Sequence, residues 1–226
     1  MDVLKQMQKL ALFQGVPAEK LKALAERALY RTCKAGEMLI GETDPAHAFY
    51  VVITGQVKLY KISAEGKEQT LNLLGSGEPF GMCTAFAVES FPANAMALEE
   101  SGILLIPGPV MESIAMKEPR LLLNIIRILS DRLKESMTLI ESLALKEIPQ
   151  RIASFLIHAL KVENGQGVSQ LELTVTQREL AKILGATPEA LSRALRKMSN
   201  AGVLAVNGRS IRILDREALG EMAEGD

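Results

Sequence analysis

The hydrophobic pattern alternates between helical and strand periods along the chain. Over the first 30 residues apolar positions follow a helical spacing. Leu10, Leu12 and Phe13 lead into VPAEKLKALAERA, where Pro17 and Glu19 suit the first turn of a helix. From about Arg31 to Pro107 the chain turns to short β-rich runs, AFYVVITG, QVKLYKIS, QTLNLLG and GILLIP. Gly41, Asp44-Pro45, Gly55, Glu65-Gly66 and Gly75-Ser76-Gly77 separate them. Many short strands at this spacing predict an antiparallel barrel or jelly roll. From Pro119 to Leu145 a helical period returns. Leu122, Ile126, Leu129, Leu133, Ser136, Ile140 and Leu143 alternate by four and three residues, which is a heptad seam with one polar position. It predicts a parallel dimer, with Ile125, Ile128 and Met137 free to cover the barrel. A helix packed only on its own domain is the alternative. Pro149 is expected to break this helix and mark a hinge.

Beyond the hinge, QRIASFLIHALKV predicts a helix with Ile152, Phe155, Leu156 and Leu160 inward, NGQGVSQ a turn, and LELTV a short strand. Thr176 with Glu179 three residues on forms a capping box. Leu180, Ile183 and Leu184 bury one face of the helix that follows, and Gly185 ends it. Thr187 then caps a second helix with Pro188 at its first position. Helix, glycine turn and helix make a helix-turn-helix, whose second helix lies in the DNA major groove. Leu191, Leu195 and Met198 form the stripe that holds this helix down. Glu189, Arg193 and Arg196 lie two residues away, about 200° round the axis, and point outward with Ser192. GVLAVNGRSIRIL reads as two strands joined at Asn207-Gly208, a wing.

Charge sharpens this picture. The 226-residue chain carries a net −1, so no global field draws it to an anion. Residues 177–212, however, hold seven Lys/Arg (178, 182, 193, 196, 197, 209, 212) against Glu179 and Glu189, a net +5. That local excess is the electrostatic footprint expected for phosphate. Two cysteines, Cys33 and Cys83, exclude a disulfide framework and a four-cysteine metal site. Two histidines, His47 and His158, argue against a cupin-like enzyme fused to a DNA-binding module, and no enzyme activity is expected. The N-terminal segment lacks the basic start and apolar core of a signal peptide. No apolar run reaches the ~18 residues of a membrane span. A cytoplasmic protein with no membrane partner is the expectation.

Several segments resemble the cyclic-AMP receptor / fumarate-nitrate regulator (CRP/FNR) superfamily of bacterial transcription factors. GETDPAHAFYVVITGQVKLYKISAEGKE is similar to its barrel core, with Gly41-Glu42, Tyr50, Gly55 and Val57-Lys58 at family elements. LALKEIPQRIASFL resembles its hinge and first DNA-domain helix, and TPEALSRAL its recognition helix in the fumarate-nitrate version. The resemblance implies an α+β protein: an effector-sensing β-roll over residues 1–118, a dimerisation helix over 119–146 and a winged helix-turn-helix domain over 147–226. It implies that Glu189, Ser192 and Arg193 read TTGAT-like half-sites of an inverted repeat. Arginine suits guanine O6/N7 and glutamate accepts from cytosine. Thr176, Gln177, Arg178 and Thr187 match positions near phosphate, joined by the basic Arg196 and Arg209. The implied partners are double-stranded DNA, a second copy of the chain and, for an activator, RNA polymerase.

Two departures bear on the effector. PFGMCTAFAVESFPANAMAL stands where cyclic-AMP-binding members carry a glutamate and an arginine. Here Met82 or Cys83 and Ala93-Asn94 occupy those places. Without the arginine a cyclic phosphate would be buried unpaired, so cyclic AMP is not the expected ligand. Two cysteines also cannot hold the iron–sulfur cluster of oxygen-sensing members. A haem, a small organic effector or a thiol switch remains, in a pocket of Gly81, Met82, Cys83, Ala93, Asn94, Ser136 and Met137. By the resemblance, Cys83 lies where a haem-binding member of the family has its histidine ligand, and His47 and Met82 are other candidate iron ligands; Cys83 and Met82 as apolar pocket lining is the alternative. A purely structural barrel on a constitutive DNA-binding dimer is the competing reading.

Overall fold

A computed structural model describes residues 2–44, 48–87, 90–162 and 170–224. The chain forms two compact units, Met1–Glu135 and Ser136–Asp226.

The first unit begins with helix α1 (Val3–Met7), a 3₁₀ turn (Ala11–Phe13) and α2 (Ala18–Ala25). The helical N-terminus expected from the pattern is therefore interrupted, and a strand already starts at Leu29. Eight strands follow: β1 (Leu29–Cys33), β2 (Met38–Ile40), β3 (Ala48–Thr54), β4 (Val57–Ile62), β5 (Glu68–Leu74), β6 (Pro79–Phe80), and, after helix α3 (Met82–Ala87), β7 (Asn94–Ala97) and β8 (Ser101–Pro107). They form two four-stranded sheets, ordered β1-β8-β3-β6 and β2-β7-β4-β5, and the pairings within them are antiparallel.

The register explains why β3 and β8 read as unbroken apolar runs. Val52 pairs with Ile103, and both join Val57, Leu74, Phe80 and Ala95 in the core between the sheets. Phe49 pairs with Ile106 and Val51 with Leu104, and these four join the core formed with α1, α2 and α4 (Gly108–Ala115). Both faces of these strands are covered, so the polar half of the alternation is missing. The sharp turn at Gly55 needs a glycine. Its φ is +82°, and a Cβ there would lie 2.3 Å from Ser101 Oγ.

Helix α5 runs Pro119–Leu145, the span its period predicts. Leu121 and Ile125 enter the helical core and Ile128 packs against it. Asn124 donates to the carbonyls of Leu12 and Gln14, which pins the 3₁₀ turn. Further along, Arg132 pairs with Glu78, whose other oxygen accepts the Gly75 N–H. Five apolar heptad positions stay open: Leu122, Ile126, Leu129, Leu133 and Ile140 are exposed, whereas Leu143 is half-buried. Met137, expected to cover the barrel, falls in the second unit and is exposed.

In the second unit α5 ends at Leu145 and α6 (Ile148–Val162) begins after two residues. Pro149 sits in the first turn of α6 rather than in the break, where its missing N–H is harmless. Gln150 accepts the Glu147 N–H across this turn. Then come β9 (Gln170–Glu172), α7 (Gln177–Ile183), α8 (Pro188–Asn200), β10 (Leu204–Asn207), β11 (Ser210–Ile213) and α9 (Arg216–Glu224). The three strands pair in the order β10-β11-β9. Ile152, Leu156 and Leu160 of α6 are buried, while Phe155 is half-buried. Most of the NGQGVSQ segment lies outside the described residues.

Candidate nucleic-acid interface and effector region

Helix α7 starts where its cap predicts: Thr176 Oγ1 accepts the Glu179 N–H at 3.2 Å. Glu179 is itself buried and pairs with Lys182 at 3.0 Å. Gly185, at φ +63°, turns the chain between the two helices. Thr187 Oγ1 then accepts the Ala190 N–H and opens α8 with Pro188 in its first turn. Leu191, Ala194, Leu195 and Met198 are buried. Glu189, Ser192, Arg193 and Arg196 are all exposed on the opposite side. The same sequence period thus gives one anchored face and one polar face.

Electrostatics suits the open face to nucleic acid. Arg178, Arg193, Arg196, Lys197, Arg209 and Arg212 are exposed, and Thr176 and Thr187 sit exposed at two helix N-termini. The Glu189 carboxyl is held below the usual carboxylate range by its own backbone N–H and the Thr187 hydroxyl, with Arg193 adding attraction. It is an ionised acceptor at neutral pH.

Two details depart from the expected wing. Asn207 pairs with Ser210, so the two-residue loop is Gly208-Arg209, with positive φ at Gly208. A glycine at the first central position is the mark of a type II′ hairpin turn, where an Asn-Gly centre was expected. Gln177 turns its amide onto the Gly208 carbonyl at 3.0 Å. That side chain ties α7 to the wing.

The candidate effector residues divide among different surroundings. Gly81 adopts φ +77° against the Tyr50 ring and leads into α3. Met82 packs on the helical core, whereas Cys83 is exposed. Ala93 is buried between the two sheets beside Phe80 and Phe91. The half-buried Asn94 uses its side-chain oxygen to accept the Glu42 N–H. Ser136 and Met137 are exposed and belong to the second unit. His47 lies outside the described residues. Among the described residues no cluster of three or more His, Cys, Asp or Glu is placed to hold a metal ion.

Sequence reasoning did not foresee that Lys58 and Thr70 of the first unit are buried. Lys58 is 3% exposed, pairs with Glu68, and lies 4.7 Å from the Tyr60 ring centre. Thr70, opposite Tyr60, buries its hydroxyl without a partner among the described residues. The signal available was a lysine and a threonine at strand positions.

No described helix is long and apolar enough to cross a membrane. Two family models match the chain: one described as a cyclic nucleotide-binding domain, over residues 30–118, and one as a Crp-like helix-turn-helix domain, over residues 150–222. The fumarate and nitrate reduction regulatory protein of Vibrio cholerae is 30% identical over 207 residues, 91% of this chain and 82% of that protein. A CRP-like cAMP-activated global transcriptional regulator of Mycobacterium tuberculosis is 25% identical over 214 residues, 94% of this chain and 96% of its own length. A variant of CooA from Carboxydothermus hydrogenoformans superposes with a TM-score of 0.80 at 24% identity, covering 99% of this chain and 96% of that one; it speaks for the fold alone.

Proposed function

Because the chain belongs to the CRP/FNR family of DNA-binding transcription regulators, we propose that it acts as a homodimer that reads an inverted repeat through Glu189, Ser192 and Arg193. The observation that carries this reading is the exposed stripe on α8, backed by the buried Leu191, Leu195 and Met198. Arg193 supplies the fork for guanine and Glu189 the acceptor for cytosine. Arg178, Arg196 and Arg209, with Thr176 and Thr187, meet phosphate, and Gln177 positions the wing. The exposed heptad row on α5 supports a parallel pairing of two copies. Two helix-turn-helix units then meet half-sites about one helical turn apart.

Control lies with the β-roll. The position that would pair a cyclic phosphate holds Ala93, buried among apolar side chains. A mostly apolar small molecule therefore suits this unit better than a cyclic nucleotide. Of the candidate haem ligands, Cys83 is exposed, Met82 packs inward and His47 lies outside the described residues. That set does not by itself build a haem site, so haem serves as one arm of the test. To regulate, any ligand must prefer one arrangement of the dimer, since equal affinity shifts nothing.

The test is selection of DNA from a random-sequence pool by the purified protein, followed by affinity measurement before and after removal of bound small molecules. Enrichment of an inverted TTGAT-like repeat is expected. A pool without any enriched repeat refutes the readout. Affinity unchanged by stripping, by added haem and by cyclic AMP refutes effector control and leaves the barrel a scaffold. Tight cyclic-AMP binding in calorimetry refutes the apolar-ligand argument.

A further inference from the structure

Three helices of the second unit end near two cations. We propose that Lys146 and Arg151 form a positioning clasp that holds the end of α5, helix α7 and helix α9 as one body, so that α5 aims the DNA-reading helix. Arg151, on α6, donates through Nε to the Lys146 carbonyl at 2.8 Å, and through one terminal nitrogen to the Leu143 carbonyl at 3.0 Å. Its other terminal nitrogen reaches the Leu184 carbonyl at 3.0 Å, at the C-cap of α7. Lys146 Nζ donates to Ser154 Oγ at 2.9 Å and to the Ala223 carbonyl at 3.0 Å, in the last turn of α9.

The carbonyl acceptors share a chemistry, whereas the Ser154 hydroxyl lies inside α6. The last four carbonyls of a helix lack intrahelical partners and carry the negative end of its dipole. A cation satisfies both needs. Only a guanidinium presents N–H groups in a planar fork able to reach two helix ends at once. Arg151 and Lys146 are both half-buried, which shields these bonds from competing water. Helix α6 also packs against α8 and α9, and α7 against α8. The physical path therefore runs from α5 through Arg151 to α7 and then to α8. Residues 136–145 of α5 group with the helix-turn-helix in one unit. The two-residue break at 146–147 is laced shut rather than loose. Motion of the reading helix then follows the end of α5 and does not pivot at Pro149.

The proposal rests on the family's DNA-binding role, and one arm of its test is independent of DNA. Full-length wild type, Arg151→Ala, Arg151→Lys and Lys146→Met are compared by hydrogen exchange, and by affinity for a duplex enriched by the wild type and for its scrambled counterpart. For Arg151→Ala, exchange over 177–187 and 216–224 is expected to quicken at least roughly ten-fold, with 119–130 unchanged. The specific-to-scrambled affinity ratio is expected to fall by about ten-fold or more, with scrambled binding held within about two-fold. Lys146→Met shifts both readouts the same way by less. Arg151→Lys keeps the charge but cannot reach Leu143 and Leu184 together, so it stays impaired. Unchanged exchange in the variants, quicker exchange with a wild-type affinity ratio, equal loss of both affinities, or wild-type behaviour of Arg151→Lys each overturns the clasp. Should Arg151→Ala fail to fold, Arg151→Lys and Lys146→Met decide by the same criteria.

Discussion

Replacing Leu133 by alanine tests the proposed dimer seam. In the single chain Leu133 is 64% exposed, between Leu129 at 45% and Ile140 at 66%. Burying a leucine fully contributes about 1.5–3 kcal/mol. The open 64% leaves roughly 1–2 kcal/mol to be gained against a partner helix. A two-fold interface uses the same residue twice, so the dimer is expected to lose about 2–4 kcal/mol. At 1.4 kcal/mol per factor of ten, the dissociation constant rises roughly 30- to 700-fold. Alanine has the higher helix propensity, so α5 itself is not weakened. Sedimentation velocity over a concentration series reads the shift, and circular dichroism checks that helix content is kept. Met116→Ala is the control, because Met116 is 75% exposed but lies off the seam. An unchanged dissociation constant for Leu133→Ala, with a dimer that also survives Leu133→Glu, would remove this face from the interface.

Three further outcomes are expected. Arg193→Ala costs about 1–3 kcal/mol on the enriched duplex and relaxes base choice at one position; a variant that binds enriched and scrambled DNA just as the wild type does would refute the assignment. In thiol labelling at about pH 7.5, Cys83 reacts in the native protein while Cys33 waits for unfolding, since Cys33 is fully buried and burial pushes its thiol pKa up; two fast thiols would contradict this. Gly55→Ala places a Cβ 2.6 Å from the Glu100 carbonyl oxygen as well as against Ser101, whereas Gly66→Ala, at a similar φ of +81°, meets nothing within 4 Å. The first is therefore expected to lose well over the ~1 kcal/mol of the second in chemical denaturation, and equal losses would show the packing argument to be wrong.

Legibility followed periodicity. Helix α5 and the strands β3, β4, β5 and β8 could be read because each repeats one pattern over six residues or more. Strand β1 was harder: four of its five residues are exposed, so LYRTC has no buried alternation. Helix α9 went unread although its signal was present, for Asp215 accepts the Ala218 N–H as a cap. The α8 face was legible because its two stripes come from one short period. The effector residues were not, since Met82 and Ala93 enter different cores and no local pattern records which. The clasp leaves the weakest trace. Four of its five acceptors are backbone carbonyls, from 143, 146, 184 and 223, and a carbonyl carries no residue identity.

The wing's tie to the rest of its unit bears on the entropy of association. The Leu173 N–H binds the Arg209 carbonyl, Gln177 binds the Gly208 carbonyl, and Gln170 binds the Ser210 hydroxyl. A free two-residue loop would lose roughly 1–2 kcal/mol of conformational freedom per residue on immobilisation. Here that loss is taken during folding. If Arg209 meets phosphate as proposed, only its side chain has left to order, at about 0.5–1.5 kcal/mol. Cutting the tether with Gln177→Ala would then weaken complexes through a less favourable binding entropy while leaving every charge in place.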